Sequence, residues 1–283
     1  KTYKKKSTIN TISYIRKIYL IYKMTEIPKK IFIIPYRDRL QHKSIFVNQY
    51  KHLLENESYE MFFVHQLDTR PFNRGATKNI GFLYAKEKYP DNYKHITFIF
   101  NDIDTLPFDK TTCDFNTKMG TVKHYFGFKQ TLGGIIAIKG YDFERINGFP
   151  NIWGWGYEDN ALKKRWLKVK GKIDYSQFYP YKDRSIVLLY HGEKKLYAQK
   201  ETWNAFWNDT GLDGIRTISM LKYSIQDEDD KIKMINVDKF EGLNAPPTKM
   251  KKGVPPTNFG KPTRVYSAAQ QRFRSMGGLF GKK

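Results

Sequence analysis

The stretch ITFIFNDIDTLP occupies residues 96–107 and decides the fold class. It begins with a run of β-branched and aromatic residues, which predicts a buried strand, and it continues with two aspartates and a proline that end the strand. Two similar apolar runs precede it, KIFIIPYR at 30–37 and MFFVHQ at 61–66, and helical spacing fills the intervals at 39–55 and 74–88. Strands that alternate with helices at this spacing pair in parallel. We therefore expect an α/β fold with a mostly parallel central sheet flanked by helices.

Polar side chains follow the three predicted strands, namely Arg37, Gln66 and Asp102. The carboxyl ends of parallel strands meet at one edge of a sheet, and ligands of open α/β sheets bind in the crevice outside that edge. We therefore expect a binding site where these three residues come together.

The rest of the chain adds further elements around this unit. An apolar run predicts a strand at 133–140, and the stretch 158–170 predicts a helix that begins with acids and ends near a glycine. The run SIVLLYH predicts another strand at 185–191. A second helix is expected at 196–207, where two tryptophans four residues apart would cover the sheet.

The net charge of the 283-residue chain is +22, but most of it lies at the two ends. Residues 1–30 hold nine Lys or Arg against one acid, and residues 244–283 hold nine and no acid, so the rest carries only +5. A charge confined to the ends argues against a nucleic-acid-binding domain and favours contact of the tails with an acidic surface. We expect a basic N-terminal extension at 1–29, one α/β domain at 30–242, and an extended basic tail rich in Pro and Gly at 243–283.

The cysteine count excludes a secreted scaffold stapled by disulfides, and the lengths of the apolar runs argue against a membrane-spanning protein. Cys113 is the single cysteine, so no intrachain disulfide can form and the fold must rest on its core. No uninterrupted apolar run approaches the roughly 20 residues that span a bilayer, and we expect no transmembrane segment. Two interpretations of the first 23 residues stay open: a basic amphipathic helix on an anionic surface, or an extension before Met24.

Two aspartates, Asp102 and Asp104, follow the central strand. In an extended segment residues i and i+2 point to the same side, so both carboxylates can face one point at the end of the strand. Hard divalent cations such as Mg²⁺ and Mn²⁺ prefer such oxygens and complete their coordination with phosphates and water. Acids in a turn can also be merely solvated, and this alternative stays open for the pair taken alone.

The segment NIWGWGYEDN at 151–160 leads into the helix predicted after it. Indole faces stack on the apolar faces of sugar rings, and glycines leave a loop able to close over a ligand. Glu158 and Asp159 stand in the first turn of that helix, where acids either complement the helix dipole or supply carboxylates for catalysis. The segment therefore points to sugar recognition next to two acids.

Four blocks of the chain resemble the β-1,4-galactosyltransferases, in the same order and at similar spacing: FIIPYRDR (32–39), FNRGATKNIGF (72–82), FIFNDIDTLP (98–107) and GGIIAIKGYDFERINGFPNIWGWGYEDNALKKRW (133–166). The resemblance spans about residues 31–191. The last block is also similar to a segment of polypeptide N-acetylgalactosaminyltransferases and chondroitin-polymerising enzymes. The resemblance implies the GT-A fold and an inverting, metal-dependent transfer of galactose or N-acetylgalactosamine (GalNAc) from a UDP-sugar to a glycan hydroxyl.

The resemblance also implies which residues bind the donor. Thr131 takes the place of a tyrosine that crowds the 2-substituent of the sugar in galactose-specific members, so we expect a 2-acetamido group to fit. Trp155 would stack between donor and acceptor as a moving lid. The residues expected to bind the UDP-sugar are Pro35, Tyr36, Arg37, Arg39, Phe72, Arg74, Asp102, Ile103, Thr131, Gly133 and Trp155.

The acceptor side and the catalytic acids follow from the same resemblance. It implies that Asp159 is the general base that takes the proton of the acceptor hydroxyl, and that Glu158 supports it or binds the acceptor. Trp155 and Tyr157 would line the acceptor side together with Glu158. Trp153 is expected to pack beneath the loop as a support.

The metal, Mn²⁺ or Mg²⁺, would be held by Asp104 and by His191, which matches the family's histidine after a late strand. Many family members carry a methionine three residues before that histidine as a further ligand. This chain has Leu188 there, which cannot ligate, so the resemblance implies two protein ligands.

A second interpretation keeps the fold but not the reaction: a catalytically weak sugar-binding module, tethered by its basic tails to a virion or another acidic assembly. The intact acids favour the enzyme. The lack of disulfides and the frequent Lys, Asn, Ile, Tyr and Phe suggest a microbial or large-DNA-virus origin. We accordingly expect a cytoplasmic location, in the host cytoplasm or the virion if the chain is viral, rather than a lumenal one.

Overall fold

The computed structural model describes residues 26–190 and 198–247. The strands are β1 (Lys30–Tyr36), β2 (Tyr59–Gln66), β3 (Thr97–Asn101), β4 (Thr105–Pro107), β5 (Thr121–Gly127), β6 (Ile135–Lys139), β7 (Lys172–Asp174), β8 (Tyr179–Pro180), β9 (Ile186–Leu188), β10 (Ser219–Asp227) and β11 (Ile232–Glu241). The helices are α1 (Leu40–Leu53), α2 (Arg74–Lys88), α3 (Gly140–Arg145), α4 (Glu158–Lys168) and α5 (Lys200–Trp207), with a 3-10 turn at Ile215–Thr217.

The main sheet of the described residues has nine strands in the order β10-β11-β2-β1-β3-β6-β5-β7, with β8 beside β5. Five of its eight strand pairs are parallel, including β2 with β1 and β1 with β3. Strands β4 and β9 form a separate antiparallel pair. The predicted α/β architecture with a mostly parallel, helix-flanked sheet is confirmed.

Strand β1 is buried on both faces because a helix covers each of them. Ile31 and Ile33 belong to the apolar core on the side of α2, and Phe32 and Ile34 to the core on the side of α1. The Phe32 ring makes an edge contact with the ring of Tyr50 on α1, with centroids 5.2 Å apart. Each such fully buried side chain contributes about 1.5–3 kcal/mol relative to an exposed one. The two cores hold the carboxyl edge of the sheet in place.

The start of α2 is fixed by two neighbouring side chains. The Asn73 Oδ1 accepts the backbone N–H of Ala76 at 2.9 Å, which caps the helix, and the Asn73 N–H donates to Gln66 Oε1 at 2.9 Å. Arg74 is therefore the first residue of α2, and Lys78 follows one turn later on the same face. Both cations lie at the carboxyl edge of the sheet.

Several elements were not predicted from the sequence: β4, β5, β7, β8, α3 and the β10–β11 hairpin. The hairpin extends the sheet beyond β2, because β11 pairs with β2 in parallel. Helix α5 begins at Lys200 and contacts α4, and the expectation that the helix at 196–207 covers the sheet stays a prediction. The extensions predicted at 1–29 and 243–283 lie almost entirely outside the described residues. In the part of the chain that the structure describes, no helix is long and apolar enough to cross a membrane.

Candidate active site

The turn after β3 is held by Asn101, whose side chain is fully buried. Its Nδ2 donates to the carbonyl oxygens of Asp102 at 2.7 Å and Thr105 at 2.9 Å, and its Oδ1 accepts the hydroxyl of Tyr50. The backbone N–H of Asp102 donates to the carbonyl of Gly134 at 3.0 Å, which ties the turn to the β5–β6 connection. The backbone that carries the two predicted aspartates is thus fixed from below.

Five charged side chains meet above this turn, and we name them the charged cluster: Arg74, Lys78, Asp102, Glu158 and Asp159. Arg74 donates through Nε to Glu158 at 2.8 Å and through Nη2 to Asp102. The Lys78 Nζ donates to Asp159 Oδ1 at 2.8 Å and lies 3.8 Å from Glu158 Oε1. Three carboxylates face two cations, so the charged cluster carries a net charge of about −1 when all five groups are ionised.

The two aspartates of the charged cluster have opposite pKa shifts. Burial raises the pKa of Asp159 to about 6, with Lys78 opposing the shift and the carboxylates of Glu158 and Asp102 adding to it. Burial also acts on Asp102, but the nearby Arg74 and Lys78 outweigh it and lower its pKa. For Arg74 the three carboxylates outweigh burial and raise the pKa well above its usual value. Of the two aspartates, Asp159 is the one able to exchange a proton near neutral pH.

Gly133 makes room for the Asp159 carboxylate. A Cβ at position 133 would lie 2.1 Å from Asp159 Oδ2, well inside contact distance. A backbone hydrogen bond also joins the two segments, because the N–H of Leu132 donates to the Asp159 carbonyl at 3.1 Å. Gly133 is thus needed to accommodate the candidate base, and its expected contact with the donor stays a prediction.

The two tryptophans of the loop before α4 have different surroundings. Trp153 is 6% exposed, stacks on Phe240 of β11 with centroids 5.2 Å apart, and donates its Nε1–H to the Asn244 carbonyl at 2.9 Å. The Arg70 guanidinium lies 4.7 Å from the Trp153 ring. This is the supporting position expected of Trp153.

Trp155, in contrast, is 41% exposed, so its indole is available to a ligand. Its carbonyl accepts the Thr202 hydroxyl of α5 at 3.3 Å. Tyr157 lies on the same side and stacks on Phe206 of α5, with centroids 5.6 Å apart. Tyr157 has a left-handed backbone, with a φ of 72°, which turns the chain into α4. The aromatic residues expected on the acceptor side thus lie next to α5 and to the charged cluster.

Arg37 braces a loop in this structure. Its guanidinium donates to the carbonyls of Gln66, Asp68 and Arg70 at 3.3, 2.9 and 2.8 Å, and it lies 5.1 Å from the centre of the Phe72 ring. Gln66 is fully buried and bonds within the same loop, so its side chain is not available to a ligand, contrary to our expectation. A contact of Arg37 with the diphosphate stays a prediction.

The other residues expected at the donor lie around the same edge of the sheet. Pro35 and Tyr36 are buried at the end of β1, and Arg39 is half-buried just before α1. Ile103 is buried in the turn between the two aspartates. The Thr131 hydroxyl donates to the Phe128 carbonyl at 3.0 Å, within a half-exposed turn before Gly133. Their contacts with a nucleotide sugar remain predictions.

Of the expected metal pair the structure describes Asp104, whereas His191 lies outside the described residues. Strand β9 pairs with β4 beside Asp104, with Leu188 opposite Thr105, and the Leu189 N–H donates to the Asp104 carbonyl at 2.8 Å. A half-buried carboxylate on a fixed turn fits a hard divalent cation that takes further ligands from phosphate and water. Within 26–190 and 198–247, no group of three or more His, Cys, Asp or Glu side chains could hold a metal ion.

Two residues of the site were missed from the sequence, Lys78 and Asn101. A lysine in a helix is usually solvent-exposed, so the pattern contained no signal for Lys78. Asn101 did leave a signal, because asparagine is depleted in strands and here ends one that is otherwise apolar. In the structure Asn101 is buried and its side chain holds the turn after β3, which accounts for an asparagine at this position.

Two family models match adjacent parts of the chain. The N-terminal region of glycosyl transferase group 7 matches residues 23–114, and the N-terminal domain of galactosyltransferase matches residues 114–191. Together they cover more than half of the chain, including the aspartate turn and the tryptophan loop.

Curated proteins that are similar to the chain include several β-1,4-galactosyltransferases. Beta-1,4-galactosyltransferase 5 of Sus scrofa is 28% identical over 206 residues, which are 68% of this chain and 51% of that protein. Beta-1,4-galactosyltransferase 6 of Homo sapiens is 34% identical over 148 residues, 48% of this chain and 38% of that protein. The chain therefore spans about half the length, or less, of these relatives.

Solved structures share the fold. A mutant of Drosophila β-1,4-galactosyltransferase 7 in complex with manganese, UDP-Gal and xylobiose has a TM-score of 0.59 and 20% identity, and the match covers 75% of this chain and 94% of that one. The catalytic domain of the same enzyme with xylobiose also has a TM-score of 0.59, at 19% identity. Because the two family models match the adjacent stretches 23–114 and 114–191 and these relatives are β-1,4-galactosyltransferases, the chain belongs to the β-1,4-galactosyltransferase family.

Proposed function

We propose that the chain transfers galactose or GalNAc from a UDP-sugar to a hydroxyl of a glycan acceptor, with inversion and with Mn²⁺ or Mg²⁺. The observation that carries the proposal is the Asp159 carboxylate, held in the charged cluster at the carboxyl edge of the sheet and two residues after the aromatic side chain of Tyr157. The manganese, UDP-Gal and xylobiose of the Drosophila complex support this choice of cofactor, donor and acceptor class.

Direct displacement with inversion needs a base on the acceptor side of the sugar. Asp159, with a pKa raised to about 6 by burial, is mostly ionised at neutral pH and still basic enough to take a proton. As the acceptor oxygen bonds to the anomeric carbon, its proton passes to Asp159. The bond from that carbon to the UDP oxygen breaks, and its electron pair leaves with UDP. Glu158, fixed by Arg74, supports Asp159 or binds the acceptor.

On the donor side, Asp104 and His191 would hold the divalent cation, which when bound would stabilise the negative charge of the diphosphate leaving group. Asp102 is kept ionised by Arg74 and can accept a hydrogen bond from a ribose or sugar hydroxyl. Trp155 presents an exposed indole face on which a sugar ring can stack. These groups orient the UDP-sugar between the turn and the loop.

Release of UDP tests the proposal. UDP-galactose, UDP-GalNAc and UDP-glucose are incubated with xylobiose and other short glycans, in the presence of Mn²⁺, Mg²⁺ or a chelator. We expect turnover with Mn²⁺, none with the chelator, and a loss of about 10²-fold or more in the Asp104→Asn variant. The matched control is Asp174→Asn, since Asp174 lies at the end of β7 and accepts a backbone N–H from Ser176. Failure of the folded chain to bind UDP would exclude the transferase.

Donor choice is tested at Thr131. We expect the wild type to use UDP-GalNAc at least as well as UDP-galactose, and the Thr131→Tyr variant to lose UDP-GalNAc. Preference for UDP-galactose in both proteins would contradict this assignment.

The alternative, a sugar-binding module with basic tails, predicts binding of UDP without turnover of any donor. Salt-sensitive binding to an acidic surface that disappears when both tails are removed would assign the terminal charge to tethering. This role of the tails and the cytoplasmic location are proposals that rest on composition.

A further inference from the structure

Lys78 lies on the buried face of α2, with only 2% of its surface exposed. Its Nζ is 2.8 Å from Asp159 Oδ1, 3.8 Å from Glu158 Oε1 and 4.4 Å from the centre of the Phe149 ring. Burying an ammonium group is costly, and a well-packed hydrophobic residue in place of a buried charge is often neutral or stabilising. Stability of the fold alone therefore does not account for a lysine at this position.

Arg74 and Lys78 divide the carboxylates of the charged cluster between them. Arg74 donates to Asp102 and to Glu158, whereas the short contact of Lys78 is with Asp159. The other oxygen of Asp159 packs against Gly133, where a Cβ would overlap it. One carboxylate oxygen is thus held by a cation and the other is confined by the backbone, which fixes the orientation of the group.

We propose that Lys78 is a positioning residue for the transfer reaction: its ammonium orients the Asp159 carboxylate and keeps it ionised inside the protein, ready to take the proton of the acceptor hydroxyl. The inference rests on the proposed role of Asp159 as the general base. Lys78 acts through Asp159 and contacts neither substrate in this role.

Four charged groups face Asp159. Lys78 and Arg74 come from α2, Asp102 comes from the turn after β3, and Glu158 precedes Asp159 on α4, while the β5–β6 connection presents backbone and a glycine. Burial is the largest influence and raises the pKa of Asp159, and Lys78, the next largest, lowers it. Without Lys78, burial and two negative neighbours would be opposed by Arg74 alone. The pKa of Asp159 would then rise toward or above neutral pH.

A Lys78→Met variant tests this, because methionine has a similar length and no charge. Loss of a cation at this distance is expected to raise the pKa of Asp159 by about 1–3 units. The acid limb of the pH profile of kcat/KM then moves up by the same amount, because Asp159 is a base only when ionised. At pH 6.5 we expect kcat/KM to fall by about threefold for a rise of 1 unit and by about 200-fold for a rise of 3 units, and at pH 9 by no more than about twofold. Lys78→Arg, which keeps the charge, should restore most of the profile.

The pKa of Asp159 is measured directly by carboxyl ¹³C NMR on the full chain, labelled at aspartate. The Asp159 signal is identified by its loss in Asp159→Asn. In the wild type the ¹⁵Nζ signal of Lys78 should shift as Asp159 titrates, a readout that needs no substitution at position 78. This measurement therefore decides the inference even where Lys78→Met does not fold.

Lys123→Met is the matched control. Lys123 is also buried, its Nζ lies 2.8 Å from Asp114 Oδ2, and it lies 5.4 Å from the centre of the Tyr125 ring, on β5 and outside the charged cluster. Its replacement should leave both the Asp159 titration and the pH profile of kcat/KM unchanged.

The outcomes separate this inference from the proposed function. An unchanged Asp159 titration in Lys78→Met, or a Lys78 Nζ signal that ignores the Asp159 titration, overturns the role of Lys78 whether or not the chain turns over a donor. A shifted titration with an unshifted pH profile of kcat/KM also overturns it. Full activity of Asp159→Asn would instead refute Asp159 as the base, which is the proposed function itself.

Discussion

Helix α4 carries a charged network near each end, and the two networks differ in balance. At its start the charged cluster presents three carboxylates to two cations. Two turns later Arg165 forms a bidentate pair with Asp209, with Nε 2.9 Å from Oδ2 and Nη2 2.5 Å from Oδ1. The same guanidinium donates to the carbonyl oxygens of Gly148 at 2.8 Å and Asp213 at 2.6 Å.

We expect the two networks of α4 to differ in role, one stabilising the fold and the other serving the proposed reaction. The Arg165 network matches one cation to one carboxylate and to nearby carbonyls, and it joins α4 to the segment before it and to the segment after α5. The charged cluster has a surplus carboxylate, and burial raises the pKa of Asp159 into the range that suits its proposed role as general base. A balanced network should therefore affect folding, and the unbalanced one should affect turnover.

The largest effect is expected from Asp159→Asn. Asparagine keeps the shape of the side chain but cannot take a proton, so kcat/KM at pH 7.5 should fall by about 10²–10⁴-fold. Affinity for UDP should change less than about twofold, because the proposed base acts on the acceptor. Steady-state kinetics and calorimetric titration with UDP check the two halves of the statement. A kcat/KM within threefold of the wild type would show that Asp159 is not the base, and the contrast between the charged cluster and the Arg165 network would then fail.

Arg165→Met should have the opposite signature. Removing the cation leaves Asp209 buried without its partner, so the free energy of unfolding should fall by about 3–5 kcal/mol, as measured by urea denaturation. Activity per folded molecule should stay unchanged. The exposed Lys168 on the same helix supplies the control, since Lys168→Met should change stability by no more than about 0.5 kcal/mol. Equal stability of the two variants would show that the Arg165 network is not structural.

Gly133→Ala should change the orientation of Asp159 while keeping its chemistry. The added Cβ would displace the carboxylate, and a misplacement of about 1 Å costs about 10²-fold in rate. Gly242→Ala is the control, because the nearest atom to its Cβ would be 3.5 Å away, an ordinary contact. Unchanged kinetics in Gly133→Ala would mean that the carboxylate position seen here is not the working one.

The smallest effect is the pH dependence of the wild type. Because Asp159 acts only as the carboxylate and its pKa is raised to about 6, kcat/KM should fall below about pH 6, by up to tenfold for each pH unit. Arg165→Met should keep this acid limb, and Asp159→Asn should lack it. A limb near pH 4, the ordinary range of an aspartate, would show that burial does not act on the base as described.

Sequence patterns were sufficient where local signals agreed. The three apolar runs and the helices between them predicted β1 to β3 with α1 and α2, since each interval carries its own period. The aspartate turn after β3 and the acids after the tryptophan loop were both selected as candidate site residues, and Arg74 bonds to Asp102 of the first and to Glu158 of the second. The supporting role of Trp153 was expected from the resemblance, and its burial and its stacking on Phe240 agree with it.

The patterns were insufficient where long-range contacts decide. Strand β11 finds its place by pairing in parallel with β2, whose residues lie about 170 positions earlier, and β10 is largely exposed at the edge. Neither fact is visible in a short window of sequence. Lys78 was missed for a related reason. It is a buried cation whose carboxylate partner comes from a distant segment, and sequence alone assigns such a side chain to solvent.

The stacking of Trp153 on Phe240 also affects the order in which parts of the site form during synthesis. The two residues are separated by roughly 90 positions, and a chain synthesised at about 5–20 residues per second needs several seconds to make that interval. During synthesis the strands that carry the aspartate turn exist before the strand that carries Phe240. The tryptophan loop therefore gains its stacking partner only after Phe240 has been synthesised. A change in Trp153 fluorescence on stacking would report when this happens in a nascent chain.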